Sequence, residues 1–184
     1  MYIFNVNLSD EDYVEFNKFV SIQSAYGKKQ MRSLRIWVAA ITVLLCALSL
    51  WTEGFTEDGW IACISYIIVS VSMLFLLKPL MLWLIKLQVK FVKKNGKLPY
   101  SMTAVMSFDE EVFSETTEEE KTEMKYFGIE RVSVLPNRFI YLHKNNLMAY
   151  IVPYASFESK EQGEEFLSFL KEKITTFDIY EEKK

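Results

Sequence analysis

The sequence predicts an α+β membrane protein in which a two-helix transmembrane hairpin is joined to an antiparallel β barrel or sandwich closed by a C-terminal helix. Three observations carry the prediction. Two apolar runs, Ile36–Trp51 and Trp60–Leu77, contain no Asp, Glu, Lys or Arg. Beyond Leu98 apolar residues alternate at a period of two in several short segments separated by polar turns, as strands with one buried face do. The stretch Ser159–Ile174 then returns to helical spacing.

Residues 1–33 read as a cytosolic strand and helix. Phe4, Val6 and Leu8 alternate with polar neighbours, which gives a half-buried strand. Ser9 and Asp12 then fit a capping box, in which hydroxyl and carboxylate each take an otherwise orphaned N–H. Tyr13, Phe16, Phe19 and Val20 make one apolar stripe on the helix that follows. Such a stripe needs cover from the membrane surface, the C-terminal domain or a partner protein, and the segment is expected to pack on the C-terminal domain. From Gly27 the chain turns basic and enters the first span.

Residues 34–97 form the hairpin. At ~1.5 Å per residue the two runs reach about 24 and 27 Å as helices, against a hydrocarbon core of ~30 Å. Leu34, Thr52 and the snorkelling stems of Arg35 and Lys78 extend them. The competing reading is a pair of core helices in a soluble protein. Orientation follows from basic residues, which are costly to translocate beside a span. Lys28, Lys29, Arg32 and Arg35 precede the first run; Lys78, Lys86, Lys90, Lys93, Lys94 and Lys97 follow the second, and the only charges in the turn Thr52–Gly59 are carboxylates. Both termini are therefore expected in the cytosol, in a multi-pass protein of the inner (cytoplasmic) membrane. Trp37, Trp51 and Trp60 fall near the span ends, where indole rings favour the headgroup level.

Past Lys78 and Pro79, where a kink is possible, the second helix is expected to continue, with Leu82, Ile85, Val89 and Val92 on one side and Lys86, Lys90, Lys93 and Lys97 near the other. That is the pattern of a helix at the cytoplasmic interface. Cys46 and Cys63 lie inside the spans without a zinc-like spacing, so neither a disulfide framework nor a metal is expected. No signal peptide is apparent, since Met1–Asp12 lacks a basic start.

The sequence Asn95-Gly96-Lys97-Leu98-Pro99 marks a boundary, and residues 98–184 form one small domain. Strand candidates are Met102–Phe108, Val112–Thr116, Met124–Phe127, Val132–Leu135, Arg138–His143 and Leu147–Val152, with Lys144-Asn145-Asn146 as a hairpin turn. Ser159 and Gln162 match a capping box, and Phe166, Leu167, Leu170 and Ile174 form the inward face of the closing helix. The tail Glu181–Lys184 is expected to fray.

Catalysis is not expected. His143 is the single histidine, and beside Lys144 and Asn145 it reads as an exposed turn residue. Asp109, Glu110 and Glu111 are adjacent in a turn, and Glu118, Glu119 and Glu120 read as a solvated loop with nothing to fix six oxygens around a cation. Neither a phosphate loop nor a zinc pattern is present, so no cofactor is expected. The lysines after the second span lack the base-stacking pattern of a nucleic-acid binder. Residues 98–184 carry 17 Asp and Glu against 10 Lys and Arg, which argues against phosphoinositide binding.

Several motifs together resemble YcxB-like membrane proteins: Phe4-x-Val-x-Leu-Ser-x-Glu-Asp-Tyr at the start, the basic-flanked hairpin, Tyr126-Phe127-Gly128-Ile129-Glu130-Arg131-Val132, and Ile151-Val152-Pro153 followed by Phe157 and a glutamate-rich helix. The family pattern has a Trp near Tyr126 or Phe127; this sequence lacks it, and another aromatic is expected to fill the core there. The resemblance implies a C-terminal domain similar to pleckstrin-homology domains and implies no reaction. Anchor and acidic domain together predict a non-catalytic inner-membrane protein that presents a docking module to a partner. Two alternatives belong to other classes, an immunity-type protein that neutralises a membrane-active toxin and an accessory subunit of a transporter. Charge-free spans disfavour an ion path through this hairpin alone. The identity of the partner, and whether copies form a homo-oligomer, are not written in the sequence.

Overall fold

The computed structural model describes residues 1–95 and 101–180. The boundary read at residues 96–99 and the tail 181–184 lie outside them. The chain divides into two compact units, Met1–Asp12 with Lys97–Lys184, and Tyr13–Gly96.

In the first unit, β1 (Tyr2–Asn7) pairs antiparallel with β2 (Thr103–Phe108), which continues through β3 (Val112–Thr116) to β4 (Lys121–Lys125). The register sets Phe4 opposite Met106 and Val6 opposite Ala104, so the alternation read in residues 4–8 turns one face inward. A second sheet holds β5 (Arg131–Leu135), β6 (Phe139–His143), β7 (Ala149–Pro153) and β8 (Phe177–Ile179) in the order β7-β6-β5-β8. β1 also approaches β7. Helix α4 (Lys160–Lys173) starts at Ser159, whose hydroxyl accepts from the Gln162 N–H, while the Gln162 side chain accepts from the Glu158 N–H. The core joins Phe4, Met106 and Phe108 of the first sheet to Val132, Ile140 and Leu142 of the second, with Phe166 and Leu170 of α4.

Three expectations are corrected here. The domain is not wholly antiparallel, because β8 adds to β5 in parallel. The strand expected over Met124–Phe127 ends at Lys125 and passes into a 3-10 turn, Tyr126–Gly128. That turn buries Tyr126, whose hydroxyl donates to the Asp109 carbonyl at 2.7 Å, and turns Phe127 outward at 87% exposure. Tyr126 is thus the aromatic that takes the core place. Finally, His143 is fully buried within β6, whose five residues are all buried. A strand covered on both faces shows no alternation, so Phe139–His143 gave no clue to which face was inner.

Helix α1 (Asp10–Lys18) has its capping box in place, Asp12 accepting from the Ser9 N–H and Ser9 from the Asp12 N–H, and the second unit begins within it at Tyr13. A π-helical turn, Phe19–Gln23, then leads through Ser24 into α2 (Ala25–Glu53). Ser24 is buried; its hydroxyl donates to the Val20 carbonyl and accepts from the Gly27 N–H. Lys28, Lys29, Arg32 and Arg35, which precede the apolar run, lie within the N-terminal part of α2. Of the apolar stripe, Phe16, Phe19 and Val20 are buried in the folded chain and Tyr13 is half-buried. Gly54, at φ 70, ends α2 in a conformation that suits glycine. Helix α3 (Glu57–Asn95) then runs unbroken through Pro79.

Gly27 is fixed by space. A Cβ there would sit 2.4 Å from the Val20 carbonyl oxygen and 2.5 Å from the Ser21 carbonyl carbon, both backbone atoms. Gly27→Ala should therefore cost about 1–3 kcal/mol, as overpacking does, and lower the melting temperature of the purified chain. Gly54→Ala has open space around the new methyl and carries only the penalty of its dihedral angle.

Candidate functional site

Helices α2 and α3 pack along one another, and the polar side chains between them set the register. The hydroxyls of Thr42 and Ser70 are hydrogen-bonded across the pair. Cys46 Sγ lies 3.8 Å from the Cys63 carbonyl oxygen, and Cys63 Sγ lies 3.6 Å from that of Cys46. Both thiols are free and occupy the helix contact. In antiparallel helices, moving outward from Thr42 and Ser70 brings Arg35 to the level of Leu77 and Lys78. At the other end Glu53 stands by the turn that leads to Glu57 and Asp58.

Between those two levels neither helix carries a charge. The charge-free slab is about 27 Å thick along α2, from Arg35 to Glu53, and about 30 Å along α3, from Asp58 to Lys78, at ~1.5 Å per residue. Both helices are long and apolar enough to cross a membrane, and only 6% and 11% of their most apolar windows are buried. A core helix of a soluble protein hides its apolar surface; here Val43, Val69, Phe75 and their neighbours are exposed. Trp37, Trp51 and Trp60 each stand two residues inside a charged residue that bounds the slab, and all three are exposed.

Beyond the slab, α3 continues on the same side as the start of α2. Lys86, Lys90, Lys93 and Lys94 are exposed there, while Ile85 and Val89 are buried and Leu82 and Val92 half-buried. At the opposite end, Ser49, Thr52 and Glu53 of α2 face Asp58 and Tyr66 of α3 across an open groove of about 500 Å³.

The sheet unit presents a different chemistry. Glu118, Glu119 and Glu120 lie in an exposed turn held by Thr117, whose hydroxyl accepts from the Glu119 and Glu120 N–H groups. Burial, with Glu120 second, raises the Glu115 carboxyl above its usual range. Burial also raises the Tyr150 phenol, with Glu115 and Glu120 adding to it. Asp109, Glu110 and Glu111 are exposed in the turn between β2 and β3.

His143 is the residue the sequence reading misplaced. Its Nε2 lies 3.0 Å from the Ser133 hydroxyl, itself buried. Burial lowers its pKa to about 4, the nearby Arg131 charge adds to the effect, and a backbone hydrogen bond at Asn145 opposes it. An imidazole sealed in this way holds a sheet together and is neutral near pH 7. The signal that could have found it was the apolar run Phe139–Leu142 leading straight into it.

One comparison bears on this unit. A family model described as YcxB-like protein matches residues 108–170. The chain carries a YcxB-like domain. The match begins at Phe108, at the end of β2, and ends at Leu170 in α4. The first strand of the sheet, β1, lies outside the match, as does the strand β8 that follows α4. No curated protein and no solved structure matches the chain.

Proposed function

We propose that this chain is a non-catalytic inner-membrane protein: α2 and α3 span the bilayer as a hairpin, both termini face the cytosol, and the YcxB-like domain, read as pleckstrin-like, docks a partner protein. The observation that supports the reading best is the slab between Arg35 with Lys78 and Glu53 with Asp58. Its thickness suits a hydrocarbon core of ~30 Å, its apolar faces are uncovered, and the basic residues beside it stand at one end only. Basic residues cluster on the cytoplasmic side of a span. Docking rather than chemistry follows from the character of the YcxB-like domain. Its single histidine is buried and neutral, and two of its exposed turns, 109–111 and 118–120, are acidic, a surface that attracts basic partners and repels anionic lipid.

Single cysteines in a Cys46→Ser, Cys63→Ser background test the topology. With Phe55→Cys, at the exposed turn between the helices, a membrane-impermeant maleimide should label intact cells from which any outer membrane has been removed. With Lys171→Cys, on an exposed position of α4, labelling should require lysis. The reverse pattern, or a chain that stays monodisperse in buffer without detergent, would overturn the reading.

A further inference from the structure

The C-terminal strand is attached to its sheet unlike any other. β8 follows α4, occupies the last place in the order β7-β6-β5-β8, and makes the one parallel pairing among the described strands. It is three residues long, with Phe177 opposite Val132, Asp178 opposite Ser133 and Ile179 opposite Val134. Backbone hydrogen bonds from Val132 N–H to the Thr176 carbonyl and from Tyr180 N–H to the Val134 carbonyl, each 2.9 Å, bracket it. Only Phe177 packs against the core, and it does so half-buried; Ile179 is 62% exposed.

β5 is the opposite case. Val132, Ser133, Val134 and Leu135 are all buried, and the strand is secured on its other side by five antiparallel pairs with β6. Its free edge is therefore preformed by the rest of the domain, and the three residues of β8 cover it. A row of unpaired backbone groups on such an edge accepts any extended chain of suitable side chains. A three-residue strand held by few ladder hydrogen bonds and one half-buried anchor belongs to the low-stability end of a fold, where local opening precedes global unfolding.

We infer that the β5 edge is a peptide-binding site of the docking domain, closed in this chain by its own residues 177–179, and that its ligand is an extended segment of a partner running parallel to β5. The register states what the ligand needs. An aromatic side chain beside Val132 takes the place of Phe177, a small polar or acidic residue meets Ser133, and an aliphatic residue lies beside Val134. The two outer positions share one face of the strand, so the pattern is aromatic, polar, aliphatic. The inference rests on the docking reading above and locates it. The labelling experiment can succeed while this site fails, in which case docking occurs elsewhere on the domain.

The probe is a fluorescent peptide of residues 175–180. Asp178→Pro in the full chain removes a strand N–H and frees the edge. It should bind the peptide at least tenfold more tightly than the unaltered chain does, and a peptide with Phe177→Asp should not bind. A folded Asp178→Pro chain that ignores the peptide would overturn the proposal. Hydrogen exchange on the unaltered chain decides independently of whether that variant folds. The Tyr180 amide should exchange at least a hundredfold faster than the amide of Glu130, which is bonded to the His143 carbonyl at 2.8 Å; equal rates would mean that β8 is an integral strand and the site does not exist.

Discussion

Phe166→Ala should be the most damaging single truncation in the sheet unit, lowering its stability by about 3–5 kcal/mol. The ring is fully buried on α4 and meets aromatic rings from every side. Phe108 lies 4.8 Å away between centroids, Phe4 4.9 Å, Tyr2 5.5 Å and Phe157 5.6 Å. Most of these pairs are edge-on, the arrangement in which the positive rim of one ring meets the negative face of another. Deleting the ring removes its transfer free energy and also leaves a cavity that rigid neighbours fill poorly. Two of those neighbours, Tyr2 and Phe4, belong to β1, so the loss should also loosen the N-terminal strand from β2. In a domain with 5–15 kcal/mol to lose, the expected result is a melting temperature lowered by more than 10 °C, read by circular dichroism of the purified chain. Phe127→Ala removes an equal ring that is 87% exposed and should change stability by less than about 0.5 kcal/mol. Similar effects for the two variants would mean that the core is not centred on α4.

The contrast between those two phenylalanines shows what the sequence could and could not say. Patterns with a period were legible: the charge-free runs fall in α2 and α3, the alternation of Phe4 and Val6 falls in β1, the capping box formed at Ser9, and Ser159 caps α4. Features decided by long-range geometry were not. β8 has three residues, too few for a period, and owes its conformation to the edge of β5. Tyr126 and Phe127 are adjacent aromatics, and only the 3-10 turn after β4 selects which one points inward. Gly27 showed in the sequence only as the point from which the chain turns basic, whereas its role is to let α2 pass the carbonyl of Val20. Ser24 belongs to the same corner: its hydroxyl closes the π-helical turn and caps the next helix at once, a double role that no local pattern announces. The charge-free slab was legible because charge is read directly from sequence, but its common level on the two helices required the register set by Thr42 and Ser70.

Acid should destabilise the sheet unit through His143, over a window set by the two states of that one side chain. In the folded protein burial first, and the Arg131 charge second, lower its pKa from 6.5 to about 4. The unfolded chain therefore binds the proton more readily than the folded one. Between those values the unfolded state carries more protons, so stability rises with pH. The contribution is complete above about pH 6.5, declines as pH falls to about 4, and changes no further below it. A difference of that size corresponds to about 3 kcal/mol at most. His143→Gln removes the titration while leaving a side chain able to hydrogen-bond Ser133, so the variant should lose the decline between pH 6.5 and 4 and start from lower stability at pH 7. Glu115 works in the opposite direction. Its carboxyl is raised by burial and by Glu120, so it favours the folded state at low pH and loses that contribution as pH rises through its folded pKa. Removing His143 should therefore expose a shallow slope of reversed sign. Chemical unfolding of both chains from pH 4 to 8 measures this, and an NMR titration of the one imidazole supplies its folded pKa directly. A midpoint near 6.5, or parallel stability curves for the two chains, would show that solvent reaches His143 and that β6 is not sealed on both faces.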